Sequence, residues 1–190
     1  MRFQMPKTHY FPRQRPKAFG MTRVYVAKLC ECGKDLRVPR KVCTDAARQL
    51  LKEAVQKEYS LDIADYAQKK SENGKPYFEG APFCFNLSHS GEYIVCALSD
   101  AGVGVDIEEI KPISEGVMRR FVGCFENSDA ENTRLWTRYE ALGKFLGTGI
   151  PYKTPTCAYV MKEYLDLDGY ALTVCAEKDG FAESVVILNI

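Results

Sequence analysis

The sequence predicts an α+β fold made of two similar subdomains in a pseudo-two-fold arrangement, each with antiparallel strands and a long helix. Two stretches repeat apolar residues at three- and four-residue steps, as a helix packed on a core does. Short apolar and β-branched runs bounded by Gly, Asp and Pro accompany both, which is typical of antiparallel strands joined by turns. With 190 residues, of which 46% are hydrophobic, the chain is long enough to bury a core.

The sequence divides into a flexible basic extension at residues 1–20, an N-terminal α+β half at residues 21–110 and a C-terminal α+β half at residues 111–190. The extension has three prolines, five basic residues and no acid, a composition that does not form a packed core. Residues 21–190 contain the other 21 Lys and Arg residues and all 25 Asp and Glu residues. This part of the chain therefore lacks the basic field that nucleic-acid binding needs. No apolar run approaches the roughly 20 residues of a membrane span, and no signal peptide is evident, so we expect a cytoplasmic protein that binds no membrane.

The N-terminal half is predicted to begin with a strand at residues 22–29 and to continue with a helix. Thr44 or Asp45 is expected to cap this helix, which ends near Tyr59. The helix is indicated by apolar residues at helical spacing, namely Ala47, Leu50, Leu51, Ala54, Val55 and Tyr59.

Turn residues then divide the rest of this half. Residues 72–76 have the composition of a tight turn, and Gly91 and residues 100–102 mark two more. The segments between them predict an antiparallel meander of three strands, at residues 83–87, 93–99 and 102–108.

The C-terminal half is predicted to contain two helices and three strands. Ser114 is expected to cap a short helix that ends at Phe121, and a longer helix is expected from about Ser128 to Leu146. The apolar stripe of the longer helix, typical of a core-facing surface, consists of Leu135, Tyr139, Leu142 and Leu146. The adjacent stripe consists of Trp136, Glu140 and Lys144. The strands are expected at about residues 157–161, 171–176 and 184–188.

Eight cysteines are present, and several lie inside apolar runs where cysteine behaves as a small hydrophobe. Without a secretion signal, free thiols are favoured over a disulfide framework. Cys30, Cys32 and Cys43 faintly suggest a zinc site, but their spacing differs from the common pairs and no fourth ligand is near.

Three carboxylates are candidate metal ligands. Asp106 and Glu108 are two residues apart on a predicted strand, so both point to one face. Alone, the pair is equally well explained as two solvated acids. Glu140 on the long helix makes the metal more favourable, because three converging carboxylates repel one another unless a cation such as Mg²⁺ lies between them.

Polar and basic residues near these acids are candidates for binding phosphate. Ser88 and His89 lie in what looks like a hydroxyl-rich turn, where His89 either bonds locally or donates to a phosphate oxygen. Lys144 follows Glu140 by one helical turn, which is also the spacing of an ordinary surface ion pair. Lys75 in a tight turn and Arg48 early in the first helix are, by residue type and position, more often surface residues than site residues.

These motifs together resemble the 4′-phosphopantetheinyl transferases of the surfactin-synthetase-activating type. The likeness extends over roughly residues 21–180, and the motifs occur in order. The matching segments are Gly74-Lys75-Pro76, Phe85-Asn86-Leu87-Ser88-His89-Ser90, Gly104-Val105-Asp106-Ile107-Glu108, the trio Trp136, Glu140 and Lys144, and Gly169-Tyr170-Ala171. Where the family usually has a lysine before the helix glutamate, this chain has Tyr139.

The resemblance implies two α+β halves with coenzyme A bound between them. It also implies Mg²⁺-dependent transfer of phosphopantetheine from coenzyme A to a serine of an acyl or peptidyl carrier protein, with release of adenosine 3′,5′-bisphosphate. The partners would be the carrier protein and coenzyme A, and the protein would be a monomer, because this type carries both halves of its site in one chain.

The resemblance also implies a role for each matched residue. The ligands of Mg²⁺ would be Asp106, Glu108 and Glu140. The contacts to the phosphates of coenzyme A would come from Lys75, Ser88 and His89, with Arg48 directed to the adenosine 3′-phosphate. Lys144 would neutralise charge on the transferred phosphate, and Glu140 is the candidate base for the attacking serine.

Two other functions stay open from the sequence. One is a homologue that binds coenzyme A or a carrier protein without catalysis; the intact acids and Lys144 favour the enzyme over it. The other, more distant, is a redox or zinc protein that uses Cys30, Cys32 and Cys43.

Overall fold

The structure, a computed structural model, describes residues 20–29, 39–149 and 157–190. The predicted basic extension, except Gly20, and the pair Cys30 and Cys32 lie outside these residues. Within the described part of the chain no helix is both long and apolar enough to cross a bilayer.

The described residues contain helices and mainly antiparallel strands, which confirms the α+β class. The helices are α1 (Arg40–Tyr59), α2 (Glu115–Phe121) and α3 (Asp129–Leu146), with a short 3₁₀ turn at Ile63–Asp65. The strands are β1 (Arg23–Lys28), β2 (Gln68–Lys70), β3 (Pro76–Phe78), β4 (Cys84–Ser90), β5 (Tyr93–Ser99), β6 (Val103–Glu109), β7 (Val160–Tyr164), β8 (Tyr170–Ala176) and β9 (Val186–Ile187).

The elements stack in four layers in the order α1, first sheet, second sheet, α3. The first sheet has the strand order β4-β5-β1-β9, and the second has the order β6-β8-β7. Alternate residues of β1 and β5 point to α1, where residues such as Leu50, Ile94 and Cys96 form one core. The other residues of these strands, such as Val24 and Val95, pack against β6 and β8 in a second core. Each sheet therefore shares one face with the other sheet and gives the opposite face to a helix.

The sequence prediction of a meander over β4, β5 and β6 is wrong at its third strand. β5 pairs antiparallel with β4 on one edge and with β1 on the other, so it has no edge left for β6. β6 pairs with β8 instead, and β9 joins the first sheet parallel to β1. The second sheet thus takes a strand from residues 21–110 and the first sheet takes one from residues 111–190. The division at residue 110 stays a prediction about folding units, and the pseudo-two-fold arrangement likewise stays a prediction.

The predicted and observed helix starts agree where a side chain caps the helix. The Ser114 hydroxyl accepts a backbone N–H bond at the start of α2, as predicted. The Ser128 hydroxyl does the same for α3, which begins where the long helix was expected. α1 begins at Arg40, earlier than expected, after Pro39, whose carbonyl oxygen accepts the bond from the Cys43 amide. The Thr44 hydroxyl, predicted to be a cap, bonds back to the Arg40 carbonyl inside the helix.

The strand bounds differ most near turns. The predicted turn forms at residues 71–75, with Gly74 at a φ of 82°, and Pro76 already belongs to β3. The short flanking strands β2 and β3 were not predicted. β7 begins at Val160 rather than near residue 157, and β9 is only two residues long.

The predicted core-facing stripe of α3 is only half-buried. The positions that α3 buries are small or polar, including Thr133, Thr137 and Ala141. Small residues are needed because the helix lies very close to β6: a Cβ atom built on Gly104 would lie 2.3 Å from the Ala141 carbonyl oxygen. This close approach sets the position of the candidate site.

Candidate active site

The candidate site lies along a seam where β4 and β6 run side by side without pairing through their backbones. The hydroxyl-rich segment predicted as a turn is the second half of strand β4, which continues to Ser90. Its alternate side chains point to β6 and accept bonds from β6 amides. The three bonds are from Val105 to Asn86 Oδ1 (2.9 Å), from Ile107 to Ser88 Oγ (3.4 Å) and from Glu109 to Ser90 Oγ (3.1 Å).

These side chains replace a partner strand for one edge of β6. The other edge of β6 is paired with β8, so the amides that face β4 have no ladder partner. A buried amide without a partner is costly, and the polar residues at every second position of β4 satisfy three of them. The seam therefore fixes the alignment of β4 with β6.

The two seam serines also hold the two strand carboxylates. The Ser88 hydroxyl donates to Asp106 Oδ1 at 2.9 Å, and the Ser90 hydroxyl donates to Glu108 Oε2 at 2.8 Å. Both acids are therefore on the predicted common side of β6, and each is bonded to a different serine of β4.

Lys144 completes this cluster from α3. Its Nζ lies 2.6 Å from Asp106 Oδ1 and donates to Ser88 Oγ at 2.8 Å. A second contact fixes α3 above the sheet: the Thr137 and Thr173 hydroxyl oxygens are 2.9 Å apart, and Thr173 is the β8 residue opposite Asp106. The predicted helix and strand motifs thus meet at Lys144 and Asp106.

Asp106 is an unusual carboxyl group because it is almost fully buried. Burial raises its pKa to about 6, and the neighbouring Glu108 adds to the rise, although Lys144 and the Ser88 hydroxyl oppose it. Only one of its oxygens is bonded: Oδ2 is buried without a hydrogen-bond partner among the described residues. A buried oxygen of this kind calls for a donor or a cation.

The other two predicted metal ligands lie on the same two elements, Glu108 on β6 and Glu140 on α3, but do not form a ligand group with Asp106. Glu140 is half-buried on α3, one turn before Lys144, and Glu108 is half-buried at the end of β6. Across the ranges that the structure describes, no three His, Cys, Asp or Glu side chains are grouped closely enough to hold a metal ion. The cation beside Asp106 is the Lys144 ammonium, and the magnesium triad stays a prediction.

Lys75 lies in the turn between β2 and β3, and its side chain reaches back into the fold. Its Nζ donates to the Val103 carbonyl at 2.8 Å and to the Phe145 carbonyl at 3.1 Å. Burial lowers the pKa of Lys75 to about 8. The ammonium therefore ties the hairpin to the start of β6 and the end of α3, a contact that sequence reasoning did not foresee.

His89 and Arg48 lie on the other side of the first sheet. Strand alternation turns His89 away from Ser88 and Ser90, to the side of α1, and leaves it exposed. Arg48 is exposed on α1 itself. The structure thus groups Ser88, Asp106 and Lys144 at the seam, and it places His89 and Arg48 on the α1 side.

Sequence reasoning missed the seam partners Asn86 and Ser90. The signal was present as polar residues at every second position from Asn86 to Ser90, which is the period of a strand. The predicted strand ended at residue 87 because the polar residues before Gly91 have the composition of a turn. In the structure the strand continues to Ser90, and the tight turn begins only at Gly91, with a φ of 54°.

Comparison with known proteins finds similar chains with named activities. No protein-family model matches the chain. It is 34% identical to the 4′-phosphopantetheinyl transferase psf-1 of Bacillus pumilus, over 76% of this chain and 77% of that protein. It is 29% identical to the 4′-phosphopantetheinyl transferase Sfp of Bacillus subtilis (strain 168), over 74% of this chain and 76% of that protein. It is 36% identical to the 4′-phosphopantetheinyl transferase AcpT of Salmonella typhimurium, over 55% of this chain and 64% of that protein.

Proposed function

This chain belongs to the 4′-phosphopantetheinyl transferases of the Sfp type, and from that membership we propose that it transfers phosphopantetheine from coenzyme A to a serine of a carrier protein. The observation that carries the proposal is the cluster of Lys144, Asp106 and Ser88 at the seam, in which Asp106 and Ser88 are buried and Lys144 is half-buried. It combines a cation, a carboxylate with an unpaired oxygen and a hydroxyl group. These are the groups that phosphoryl transfer requires, because that reaction depends on positioning and charge neutralisation.

In the proposed reaction the carrier serine oxygen attacks the phosphorus that bears the pantetheine arm. The new bond joins that oxygen to phosphorus, and the bond from phosphorus to the bridging pyrophosphate oxygen breaks. Adenosine 3′,5′-bisphosphate leaves with the bond electrons. Glu140 takes the serine proton, and the Lys144 ammonium neutralises charge that develops on the transferred group.

We propose that Asp106, Glu108 and Glu140 hold a divalent cation. The fit rests on Asp106 Oδ2, a buried oxygen without a partner in the described structure, and on the preference of Mg²⁺ for carboxylate oxygens. When bound, the cation supplies positive charge to the pyrophosphate. The protein's own part is to keep the carboxylates of Asp106 and Glu108 oriented through the seam serines.

We propose that coenzyme A contacts both sides of the first sheet's edge. Ser88 faces the seam, close to Lys144, and suits the pyrophosphate end. His89 and Arg48 lie on the α1 side and suit a phosphate farther along the ligand, since neighbouring strand residues point to opposite faces. Lys75 supports this region by holding the end of α3 against β6, and its ammonium is the remaining candidate for a phosphate contact.

The same proposal includes a monomeric state and a cytoplasmic location, where coenzyme A would be available. The monomer rests on the family, in which one chain carries both halves of the site. Neither a nucleic acid nor a membrane is part of the proposed reaction.

The test is mass spectrometry of an apo carrier protein after incubation with the protein, coenzyme A and Mg²⁺. The expected result is a mass gain of one phosphopantetheine, which Asp106→Asn abolishes. Asp168→Asn, at an exposed acid in the turn before β8, is the matched control and should leave the gain unchanged. Binding of coenzyme A without a mass gain on any carrier tested would favour the non-catalytic homologue.

A further inference from the structure

Ser90 makes two hydrogen bonds at the seam, and the proposed reaction gives this residue no role. It is 8% exposed, and both functions of its hydroxyl are engaged. The oxygen accepts from the Glu109 amide at 3.1 Å, and the O–H donates to Glu108 Oε2 at 2.8 Å. A hydroxyl with both functions engaged cannot rotate without losing a bond, so it holds the carboxylate of Glu108 in one direction.

The neighbouring position on β4 shows that this pattern is repeated. Ser88 likewise accepts from a β6 amide, that of Ile107, and donates to the carboxylate of the residue before it, Asp106. One step earlier, Asn86 accepts from Val105, but the residue before Val105 is Gly104 and offers no carboxylate. The two serines therefore coincide with the two carboxylates, one hydroxyl for each.

The two carboxylates differ in what else holds them. Asp106 is also bonded to Lys144, so it keeps a partner if Ser88 is lost. For Glu108 the side-chain bond that the structure gives is the one from Ser90. Glu108 is also less buried than Asp106, so a freed carboxylate has room to turn to solvent.

We propose that Ser90 is a positioning residue for Glu108, which it aims at the divalent cation through its O–H bond while its oxygen aligns β4 with β6. This inference rests on the proposed function, because it assumes that Glu108 serves a cation. Groups that orient metal ligands from outside the coordination sphere change metal affinity by about 10- to 100-fold when removed. Ser90 should act mainly on cation affinity, and only weakly on the rate once the cation is saturating.

The experiment compares four chains: the wild type, Ser90→Ala, Ser90→Thr and Ser99→Ala. Ser99 is the matched control because it is also a buried strand serine whose oxygen accepts a backbone bond, from Ala101 at 3.3 Å. Its other partner is the Thr22 hydroxyl rather than a carboxylate. Binding of Mn²⁺ is measured by the paramagnetic resonance signal of the free ion, in the presence of coenzyme A. The Mg²⁺ concentration for half-maximal transfer, kcat and the urea midpoint are measured on the same chains.

For Ser90→Ala we expect Mn²⁺ affinity to fall about tenfold or more, and the half-maximal Mg²⁺ concentration to rise by the same factor. Its kcat at saturating Mg²⁺ should stay near that of the wild type, and Ser90→Thr, which keeps a hydroxyl, should restore both values. Ser99→Ala should lower the urea midpoint and leave Mn²⁺ binding unchanged. If Ser90→Ala does not fold, Ser90→Cys keeps a similar shape with a weak donor and should show the same loss of cation affinity.

Two other outcomes would overturn the inference in different ways. Unchanged Mn²⁺ affinity in a folded Ser90→Ala or Ser90→Cys chain, with a midpoint lowered as in Ser99→Ala, would leave Ser90 a purely structural residue while the proposed function stands. No Mn²⁺ binding by the wild type would show that the proposed cation site itself is wrong, and the role of Ser90 would fall with it.

Discussion

Replacing Gly104 by alanine should separate α3 from β6 and disable the site. A Cβ atom at this position would lie 2.3 Å from both the Ala141 carbonyl oxygen and the Phe145 amide nitrogen, and 2.8 Å from the Phe145 Cα. Ordinary contacts of a Cβ atom begin near 3.4 Å, and all three obstacles are backbone atoms that cannot rotate away. The last turns of α3 must therefore retreat by about 1 Å or the strand must deform.

The size of the effect follows from what lies on those turns. Overpacking a tight core site lowers the free energy of unfolding by about 1–3 kcal/mol. Because the neighbouring atoms here are backbone atoms that cannot move aside, we expect Gly104→Ala to cost about 3 kcal/mol or more. Lys144 lies between Ala141 and Phe145 in the chain and has its Nζ 2.6 Å from Asp106. A misplacement of about 1 Å in a catalytic constellation costs about 100-fold in rate, so transfer should fall by about that factor.

The assay is the urea unfolding midpoint and slope, together with the initial rate of carrier modification. Gly116→Ala is the control, because a Cβ atom there has open space on α2 and alanine should stabilise a helix by up to about 1 kcal/mol. A Gly104→Ala chain with the stability and rate of the wild type would show that α3 does not press on β6 as described, and the reasoning about the site would be refuted.

Three further substitutions test the surroundings of the site. Lys144→Met leaves Asp106 a buried charge without its cation and should cost about 3 kcal/mol at pH 7; adding Asp106→Asn should recover part of this in urea unfolding. The pKa of Lys75 is lowered to about 8, so from about pH 8 to 10.5 the unfolded chain holds a proton that the folded chain loses, and stability rises. Lys75→Met should flatten that rise, seen as a smaller gain in urea midpoint with pH. Ser128→Ala removes the cap of α3 and should cost about 1 kcal/mol without changing the transfer rate at saturating substrate.

Features that depend on neighbouring residues could be predicted from the sequence. Strand β5 occurs at residues 93–99 as expected, and Ser128 caps α3 through the Glu131 amide three residues away. These signals are local because hydrophobic period and capping act over a few residues. The start of α1 was predicted too late because no side chain caps it. Pro39 contributes only a backbone carbonyl there, and a backbone carbonyl leaves no signal in the sequence.

Features that depend on distant pairing could not be predicted in the same way. Nothing within residues 93–109 shows that β6 pairs with β8, some 70 residues later, rather than with β5. The bond from Lys75 to the Phe145 carbonyl also crosses 70 residues. The identity of the seam residues was visible, but which amides and carboxylates they bond depends on the packing of two sheets.

The return of β9 to the first sheet has a consequence for synthesis of the chain. Tyr25 and Val26 of β1 pair with Val186 and Ile187, so this sheet gains its outer strand only after α1, α2, α3 and the whole second sheet have been translated. Until then β1 has an uncovered edge, and uncovered edges invite pairing with other chains. The nascent N-terminal part should therefore depend on chaperones or on rapid completion of translation, and cutting the gene between the two sheets should give fragments that aggregate separately and become soluble only when made together.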